Sequence, residues 1–260
     1  MQRLKSVESF SGASPLNSAT YFPSIEKIRT ELSRVLAGKS EIIDHALASF
    51  LGQGHILLEG PPGTGKTSLA KGMARVFGGK FSRVQMTSDL LPSDVIGFLR
   101  LKPGTHDLEF REGPIFTNIL VADELNRSTP KTQGALLEAM EENTVSVDGR
   151  TYDLPKPFFV VATQNPLEFH GVYPLAESQL DRFSCLIRFS HPDEKSERAI
   201  YENLMSEDPS APIKPVVTLE EANQLRTATT QVHVDSTVYE YVTKIVRATR
   251  EISGIGHGVS

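Results

Sequence analysis

The segment from Gly60 to Thr67 has the spacing of a phosphate-binding loop. It reads Gly-Pro-Pro-Gly-Thr-Gly-Lys-Thr, which satisfies the pattern Gly-x4-Gly-Lys-Ser/Thr. Glycines let the backbone wrap a phosphate, and the start of the next helix adds about half a positive charge. We therefore predict that Lys66 reaches the β and γ phosphates of ATP and that the Thr67 hydroxyl binds Mg²⁺. The residues predicted to bind the nucleotide are Gly60, Pro61, Pro62, Gly63, Thr64, Gly65, Lys66, Thr67 and Ser68.

Two carboxylates end a second apolar segment, Ile119-Leu-Val-Ala-Asp-Glu124. If this segment is a parallel neighbour of the strand before the loop, its carboxyl end lies at the same edge of the sheet. Asp123 can then position Mg²⁺, and Glu124 can polarise the attacking water. An acidic pair after a strand is often only structural, so it is the combination with the phosphate loop that favours nucleotide hydrolysis.

Two further residues have both a catalytic and a structural interpretation. Asn165 ends the next apolar segment, Ala162-Thr-Gln-Asn-Pro166, where its amide can orient water against the γ phosphate, although an Asn before a Pro is usually a turn residue. Arg182 is typical of a surface ion pair, or of an arginine supplied in trans to the nucleotide of another subunit. The catalytic residues predicted from these positions are Lys66, Glu124, Asn165 and Arg182.

Short apolar segments alternate with helical periodicity from about residue 24 to residue 190, which predicts a parallel sheet covered by helices. The predicted strands are His55–Glu59, Phe81–Met86, Asn118–Asp123, Phe158–Thr163 and Cys185–Phe189. Helical spacing from Leu69 to Phe77 predicts a helix that Gly78-Gly79 ends. Another helix is expected to begin with Thr129 as N-cap and Pro130 at its first position.

Two hairpins are expected to interrupt this alternation. The first spans 98–110 and turns at Pro103-Gly104, and the second turns at Asp148-Gly149, a pair that fits a two-residue hairpin loop. Three domains follow from the whole pattern. Residues 1–24 are predicted to be a flexible tail, residues 25–190 the nucleotide-binding core, and residues 191–260 a small helical lid that ends between elements and is incomplete.

Three features outline the predicted lid. The segment Asp193–Met205 is predicted to form a helix. Thr218 with Glu221 has the spacing of a capping box at the start of another helix. Helical periodicity resumes from Asp235, so no strand is expected after residue 190.

Composition limits the classes of function. The chain has 260 residues and a net charge of -5, so it has no overall positive field for nucleic acid, and binding to nucleic acid is not expected. Cys185 is the only cysteine, which fits a reducing compartment and favours a buried apolar thiol. The chain also lacks an apolar run long enough to span a membrane or to act as a secretory signal. These observations predict a cytoplasmic protein.

These residues together resemble the MoxR family of AAA+ ATPases, from about Gly38 onwards. The likeness is carried by the phosphate loop and by three longer segments, Asp123 to Glu141, Ala162 to Pro166 and Tyr173 to Phe183. It implies that 60–67 is the Walker A motif and that Asp123 and Glu124 are the Walker B motif. Asn165 is implied to be sensor 1, and Arg182 the arginine finger.

The resemblance also implies an architecture and a role. The fold of the family is a five-stranded parallel sheet of order 5-1-4-3-2 between helices, followed by a helical lid. Members form rings, expected to be hexameric, with ATP between neighbouring subunits. The two hairpins correspond to inserts that face the ring pore. The implied function is a chaperone-like motor acting on a protein partner, commonly one with a von Willebrand factor A domain.

One feature departs from the family pattern, in which a second sensor arginine follows a Ser-Pro sequence in the lid. This sequence has no arginine after Arg250. Either the natural chain continues past Ser260 or a contact to the γ phosphate is lacking, and we favour truncation. Three other functions remain as alternatives: phosphate transfer to a small molecule, a DNA-translocating motor, and a nucleotide-gated scaffold without significant turnover.

Overall fold

The computed structural model describes residues 18–36, 38–61, 64–165, 171–189, 214–252 and 258–259. The α-helices in these segments are α1 (Ser18–Val35), α2 (Ser40–Leu51), α3 (Lys66–Val76), α4 (Pro92–Ile96), α5 (Pro130–Glu142), α6 (Glu177–Leu180), α7 (Leu219–Thr229) and α8 (Ser236–Glu251). The strands are β1 (Ile56–Glu59), β2 (Phe81–Gln85), β3 (Gly97–Leu101), β4 (Leu108–Glu112), β5 (Ile119–Asp123), β6 (Thr144–Val147), β7 (Arg150–Asp153), β8 (Phe159–Gln164) and β9 (Cys185–Arg188).

A five-stranded parallel sheet of order β2-β5-β8-β1-β9 forms the centre of the fold. Numbered along the chain, these five strands have the order 2-3-4-1-5, which is the expected order read from the opposite edge. All five predicted strands are present, and each end lies within one residue of its predicted position. The α/β fold class is therefore confirmed.

Both faces of the sheet are buried, and β5 shows why its sequence is continuously apolar. Ile119 and Val121 pack into one hydrophobic core, which includes residues of α1, α2, α3 and α7. Leu120 and Ala122 pack into a second core on the opposite face, which includes residues of α5. Because successive side chains of a strand point to opposite faces, a sheet covered on both sides needs apolar residues at every position.

The two predicted hairpins are present as separate antiparallel pairs, β3–β4 and β6–β7. Asp148 and Gly149 both have positive φ, at 48° and 76°, as a two-residue turn that matches strand twist requires. The Phe110 ring of β4 stacks on the Tyr152 ring of β7, with 3.9 Å between centroids. The hairpins are therefore in contact with each other.

The helix ends follow their local sequence signals. The Thr129 side chain caps α5, and Thr218 forms the predicted capping box with Glu221 at the start of α7. Helix α3 ends at Val76, and the chain turns at Gly78 with φ 59°. These caps satisfy backbone groups that have no partner within the helix, which explains why the termini were predictable.

The C-terminal helices differ in their packing. Val217, just before α7, and Leu225 within it are buried in the first core. The Thr229 hydroxyl donates to the carbonyl oxygen of Leu51, at the end of α2, over 2.8 Å. Large apolar side chains of α8, such as Tyr241 and Ile245, are exposed in the part of the chain that the structure describes. The predicted helix Asp193–Met205 and the predicted boundary at residue 190 lie outside the described residues.

The N-terminal helix differs from the sequence-based expectation. Helix α1 begins at Ser18, so the part of the predicted tail over residues 18–24 is helical. Tyr21 and Ile25 pack against the first core, and Ile28 and Leu32 are buried in it. These positions recur at helical spacing, and the burial of this stripe explains why the helix forms.

Two expectations about single features can also be compared with the structure. Cys185 is partly buried against the first core rather than fully enclosed, and burial raises the pKa of its thiol. Among the described residues, no helix combines the length and apolar character that crossing a membrane requires.

Candidate functional site

A cleft of about 330 Å³ lies at the carboxyl end of the parallel sheet. Residues predicted to act on a nucleotide line it together: Gly60, Gly65, Lys66, Thr67, Ser68, Asp123, Glu124 and Asn165. They come from the loop after β1, the end of β5 and the end of β8. Parallel strands present their carboxyl ends at one edge, so residues distant in sequence meet there.

Glycine is required at two positions of the phosphate loop. Gly60 has φ 149°, and a Cβ there would lie 2.4 Å from the carbonyl oxygen of Phe189. Gly65 has φ 100° and is the N-cap of α3. Both backbone conformations are ones that a residue with a side chain rarely adopts. Pro62 and Gly63, also predicted to bind the nucleotide, lie outside the described residues.

The Lys66 ammonium rests against backbone in this structure. It donates to the carbonyl oxygens of Gly60 and Pro61, at 2.5 and 3.2 Å. Burial lowers the pKa of Lys66, while the charges of Asp123 and Glu124 act in the opposite direction. Lys66 stands at the start of an eleven-residue helix, where neutral carbonyl oxygens are the partners of its ammonium. A polyanionic ligand would offer this ammonium charged oxygens, so the position suits the binding of phosphate groups.

A lysine outside the motif supports the loop. The Lys39 ammonium donates to the carbonyl oxygen of Thr64 over 2.5 Å, and the Thr64 hydroxyl donates to the carbonyl oxygen of Pro61 over 2.9 Å. Lys39 also lies over the Phe189 ring, 4.6 Å from its centroid. Burial lowers the pKa of this lysine. Lys39 therefore connects the loop before α2 to the phosphate loop and to the end of β9.

Asp123 is buried, with two oxygens bonded to different partners. Its Oδ2 accepts from Nε of Arg83 over 2.5 Å, and its Oδ1 accepts from the Thr163 hydroxyl over 3.2 Å. Thr67 lines the same cleft, so a hydroxyl and a carboxylate, the oxygen ligands that Mg²⁺ prefers, are available there. Among the described residues, no group of three or more His, Cys, Asp or Glu side chains could hold a metal.

Glu124 adopts a left-handed backbone conformation, with φ 57°. Its N–H donates to the Thr163 hydroxyl oxygen over 2.9 Å. Its Oε2 accepts from Nε2 of Gln85 at 2.8 Å and from Nη1 of Arg127 at 3.0 Å. A non-glycine residue at positive φ is uncommon and stores strain that surrounding contacts must hold. These contacts orient the carboxylate that we predict to act on water.

Side-chain hydrogen bonds connect the end of β8 to β1 and β9, the strands on the side away from β5. Gln164 donates from Nε2 to Oε1 of Glu59 over 2.6 Å, and Arg188 donates to the other oxygen of Glu59 over 3.1 Å. Asn165 follows Gln164 and is half-buried at the cleft wall. The hydrogen bonds from Gln164 and Arg188 to Glu59 thus hold the end of β8, next to Asn165, the predicted sensor 1.

Arg182 does not line the cleft of its own chain. It forms an ion pair with Glu141, at the end of α5, with 3.0 Å between Nη2 and Oε2. The structural interpretation of Arg182 as a surface ion pair is thus realised. Its action on the nucleotide of another subunit stays a prediction.

The sequence-based prediction did not include Arg83, Gln85 and Thr163, which line the cleft. Arg83 and Gln85 alternate with buried Val84 along β2. This period of two in the sequence indicates that both side chains lie on the same face of the strand, opposite Val84. Their partners are forty and thirty-nine positions away in the chain, and no local pattern identifies them.

His55, the residue just before β1, joins three elements inside the core. Its Nδ1 accepts from the N–H of Val160, and its Nε2 lies 3.0 Å from the carbonyl oxygen of Met140, so the ring is neutral with a proton on Nε2. Burial lowers the pKa of His55 to about 4. This histidine is a structural connector rather than a metal ligand.

A parallel sheet with a phosphate loop between its first strand and a helix defines the P-loop nucleotide-binding class. Residues 55–185 match the family described as "ATPase family associated with various cellular activities (AAA)". The chain belongs to the MoxR family of AAA+ ATPases.

Relatives of known sequence and structure agree with this assignment. The chain is 44% identical to YeaC of Bacillus subtilis over 92% of its own length and 74% of that protein. It is 40% identical to chaperone MoxR1 of Mycobacterium tuberculosis, over 89% of this chain and 61% of that protein. A crystal structure of a protein from Cytophaga hutchinsonii superposes with a TM-score of 0.81 at 36% identity, covering 90% of this chain and 71% of that one.

Proposed function

We propose that this protein hydrolyses Mg-ATP as a subunit of a hexameric ring and uses the energy to remodel or mature a protein partner. The observation that carries the proposal is the convergence of Lys66, Asp123 and Glu124 in one cleft at the N-terminus of α3. A cation, a metal-binding carboxylate and a second carboxylate for water are the parts that nucleotide hydrolysis requires.

Binding uses groups that are already placed. The Lys66 ammonium exchanges its backbone carbonyls for phosphate oxygens, and the first N–H groups of α3 donate to the same phosphates. Thr67 and Asp123 would hold Mg²⁺, which when bound neutralises charge on the β and γ phosphates. Binding also requires Asp123 to exchange its contact with Arg83 for the metal.

Hydrolysis depends on Glu124 and Asn165. The Glu124 carboxylate accepts a proton from the attacking water, and the Asn165 amide holds that water in line with the γ phosphate. Gln85 and Arg127 donate to one Glu124 oxygen, so this carboxylate is restrained by its neighbours. Arg182 of a neighbouring subunit offsets negative charge that develops during cleavage.

The proposed partner is a protein rather than a nucleic acid. One relative is named a chaperone, which supports a protein client, and the family resemblance points to a von Willebrand factor A domain. Leu101 and Leu108 face each other at the tip of the β3–β4 hairpin and are 64% and 55% exposed. An exposed apolar pair suits contact with polypeptide better than with phosphate backbone, and the net charge of -5 also disfavours the DNA motor. We place this activity in the cytoplasm.

Two variants test the proposal directly. Lys66→Ala should weaken ATP binding by about thirtyfold or more, since a charge-assisted contact contributes about 2 kcal/mol. Glu124→Gln should bind ATP normally but lose about a hundredfold or more in turnover. Titration calorimetry measures binding, and phosphate release measures turnover. Lys71→Ala, an exposed lysine on the same helix, is the control. Tight ATP binding by Lys66→Ala, or full turnover by Glu124→Gln, would contradict the assignment.

A further inference from the structure

Arg83 lies on the edge strand of the sheet, beside the strand that carries both carboxylates. Its side chain is 51% exposed and lines the cleft, whereas the Asp123 side chain that it contacts is 9% exposed. The ion pair therefore joins a nearly enclosed anion to a cation with access to solvent. Arg83 can move into solvent, but Asp123 cannot follow it, so the contact can be given up only when another cation takes the place of Arg83.

The two oxygens of Asp123 have unequal surroundings. Oδ1 accepts from the Thr163 hydroxyl, a neutral donor that also lines the cleft, and that hydroxyl oxygen accepts the N–H of Glu124. Oδ2 accepts from Arg83, which lines the cleft with Lys66 and Thr67. The guanidinium thus holds the oxygen that a cation entering from the cleft would need.

A buried carboxylate next to another carboxylate needs a counter-charge. In the structure, Arg83 supplies that charge to Asp123, while Gln85 and Arg127 donate to Glu124. Arg83 and Gln85 are two residues apart on β2, so one strand places a donor on each carboxylate. A divalent cation and a guanidinium compete for Oδ2 of Asp123, because the cation would be ligated by the same lone pairs that accept the hydrogen bond from the guanidinium.

We propose that Arg83 is a built-in substitute for the metal ion: its guanidinium neutralises Asp123 in the empty site and surrenders the carboxylate to Mg²⁺ when Mg-nucleotide binds. This inference rests on the proposed function, in which Mg-ATP occupies the cleft. Two consequences follow. Arg83 lowers the affinity of the empty site for a bare divalent cation, and it protects the acidic pair from mutual repulsion until nucleotide arrives.

Binding of Mn²⁺ alone to the nucleotide-free protein tests the proposal, with electron paramagnetic resonance to count free Mn²⁺. If Arg83 holds Asp123 about 90% of the time, Arg83→Gln should tighten Mn²⁺ binding about tenfold, because apparent affinity scales with the competent fraction. Arg83→Lys, which keeps the charge but not the fork of donors, should give a smaller gain. The matched control is Arg100→Gln, since Arg100 is 48% exposed and donates to Glu109 over 2.6 Å in the β3–β4 hairpin.

A second substitution locates the effect. Adding Asp123→Asn to Arg83→Gln should abolish the gain in Mn²⁺ affinity, because the released carboxylate is then absent. Equal Mn²⁺ affinity in wild type and Arg83→Gln, or a gain that survives Asp123→Asn, would overturn the proposal. If circular dichroism shows that Arg83→Gln does not fold, Arg83→Lys decides: an affinity equal to that of the wild type overturns the proposal.

The outcome is separable from that of the proposed function. ATP binding is measured on the wild type and Lys66→Ala, whereas the Mn²⁺ titration uses no nucleotide. Failure of ATP binding would refute the nucleotide site while leaving the Mn²⁺ comparison intact. Normal ATP binding with unchanged Mn²⁺ affinity in Arg83→Gln would refute the role of Arg83 alone.

Discussion

At the scale of single residues, Asp123 and Glu124 are adjacent in the chain and yet have different donors. Asp123 is bonded by Arg83 and Thr163, whereas the Glu124 side chain is bonded by Gln85 and Arg127. The left-handed backbone at Glu124 separates the directions of the two side chains. Each carboxylate therefore has side-chain partners of its own, which hold the two groups in different positions.

His55 makes stability depend on pH. Its pKa is about 4 in the folded protein and about 6.5 in an unfolded chain, so on acidification the unfolded state takes up the proton first. The stability from neutral His55 is complete above about pH 6.5 and is lost as pH falls towards 4. Between pH 7 and pH 5 this residue should lower the free energy of unfolding by about 2 kcal/mol.

Urea unfolding at several pH values measures this dependence. His55→Gln should be less stable at pH 7 because it disturbs two buried hydrogen bonds, but its stability should fall less steeply with acidification. His45→Gln is the control, since His45 is exposed on α2. The same pH slope in His55→Gln and the wild type would show that His55 is not held neutral.

At the scale of elements, the two hairpins are joined by aromatic contacts. Phe110 stacks on Tyr152 with ring planes 15° apart, and it meets Phe116 edge to face with 5.5 Å between centroids. Phe116 precedes β5, the strand that ends in the acidic pair. A short chain of packed rings therefore connects the hairpins to the strand that leads into the cleft.

Removal of one ring should loosen the first hairpin. Tyr152→Ala deletes the stacked pair, worth about 1 kcal/mol beyond buried area, so amide exchange over residues 97–112 should accelerate about fivefold. Hydrogen exchange with mass spectrometry measures the rate by segment. Thr151→Ala, an exposed neighbour on the same strand, should leave it unchanged. Unaltered exchange in Tyr152→Ala would mean that the hairpins are held independently.

At the scale of the whole molecule, Arg182 does not reach the cleft of its own chain. If Arg182 acts on a neighbouring nucleotide, activity should rise with protein concentration as subunits assemble. Arg182→Ala and Glu124→Gln should each be nearly inactive alone. A mixture in equal amounts should regain about a quarter of wild-type turnover, because about that fraction of interfaces in a ring combines an intact Glu124 with an intact Arg182.

The ion pair of Arg182 requires its own control. Glu141→Gln removes the partner that Arg182 has within the chain but leaves the arginine in place. Retained activity in Glu141→Gln, together with loss in Arg182→Ala, would assign the effect to the arginine itself. Turnover that is independent of concentration, with no recovery on mixing, would exclude a shared site.

The local patterns explain how much could be predicted. The phosphate loop, the capped helix starts and the turn residues Asp148-Gly149 are defined by neighbours a few positions apart. The caps and the turn lie where predicted, as do the described residues at the two ends of the loop. The extent of α1 was missed because only its packing on the first core identifies its apolar stripe. Lys39 was missed for a similar reason, since its partner Thr64 is twenty-five residues away.

The sequence by itself determined the phosphate-loop motif, the acidic pair and the α/β class, because each depends on short-range spacing or on the period of burial. The family resemblance implied that β2 lies beside β5, but only the tertiary structure decided that Arg83 meets Asp123 and Gln85 meets Glu124 there. Strand order is set by the packing of helices on both faces of the sheet. No local pattern encodes it, so the partners that control the predicted catalytic carboxylates emerge only when the sheet is assembled.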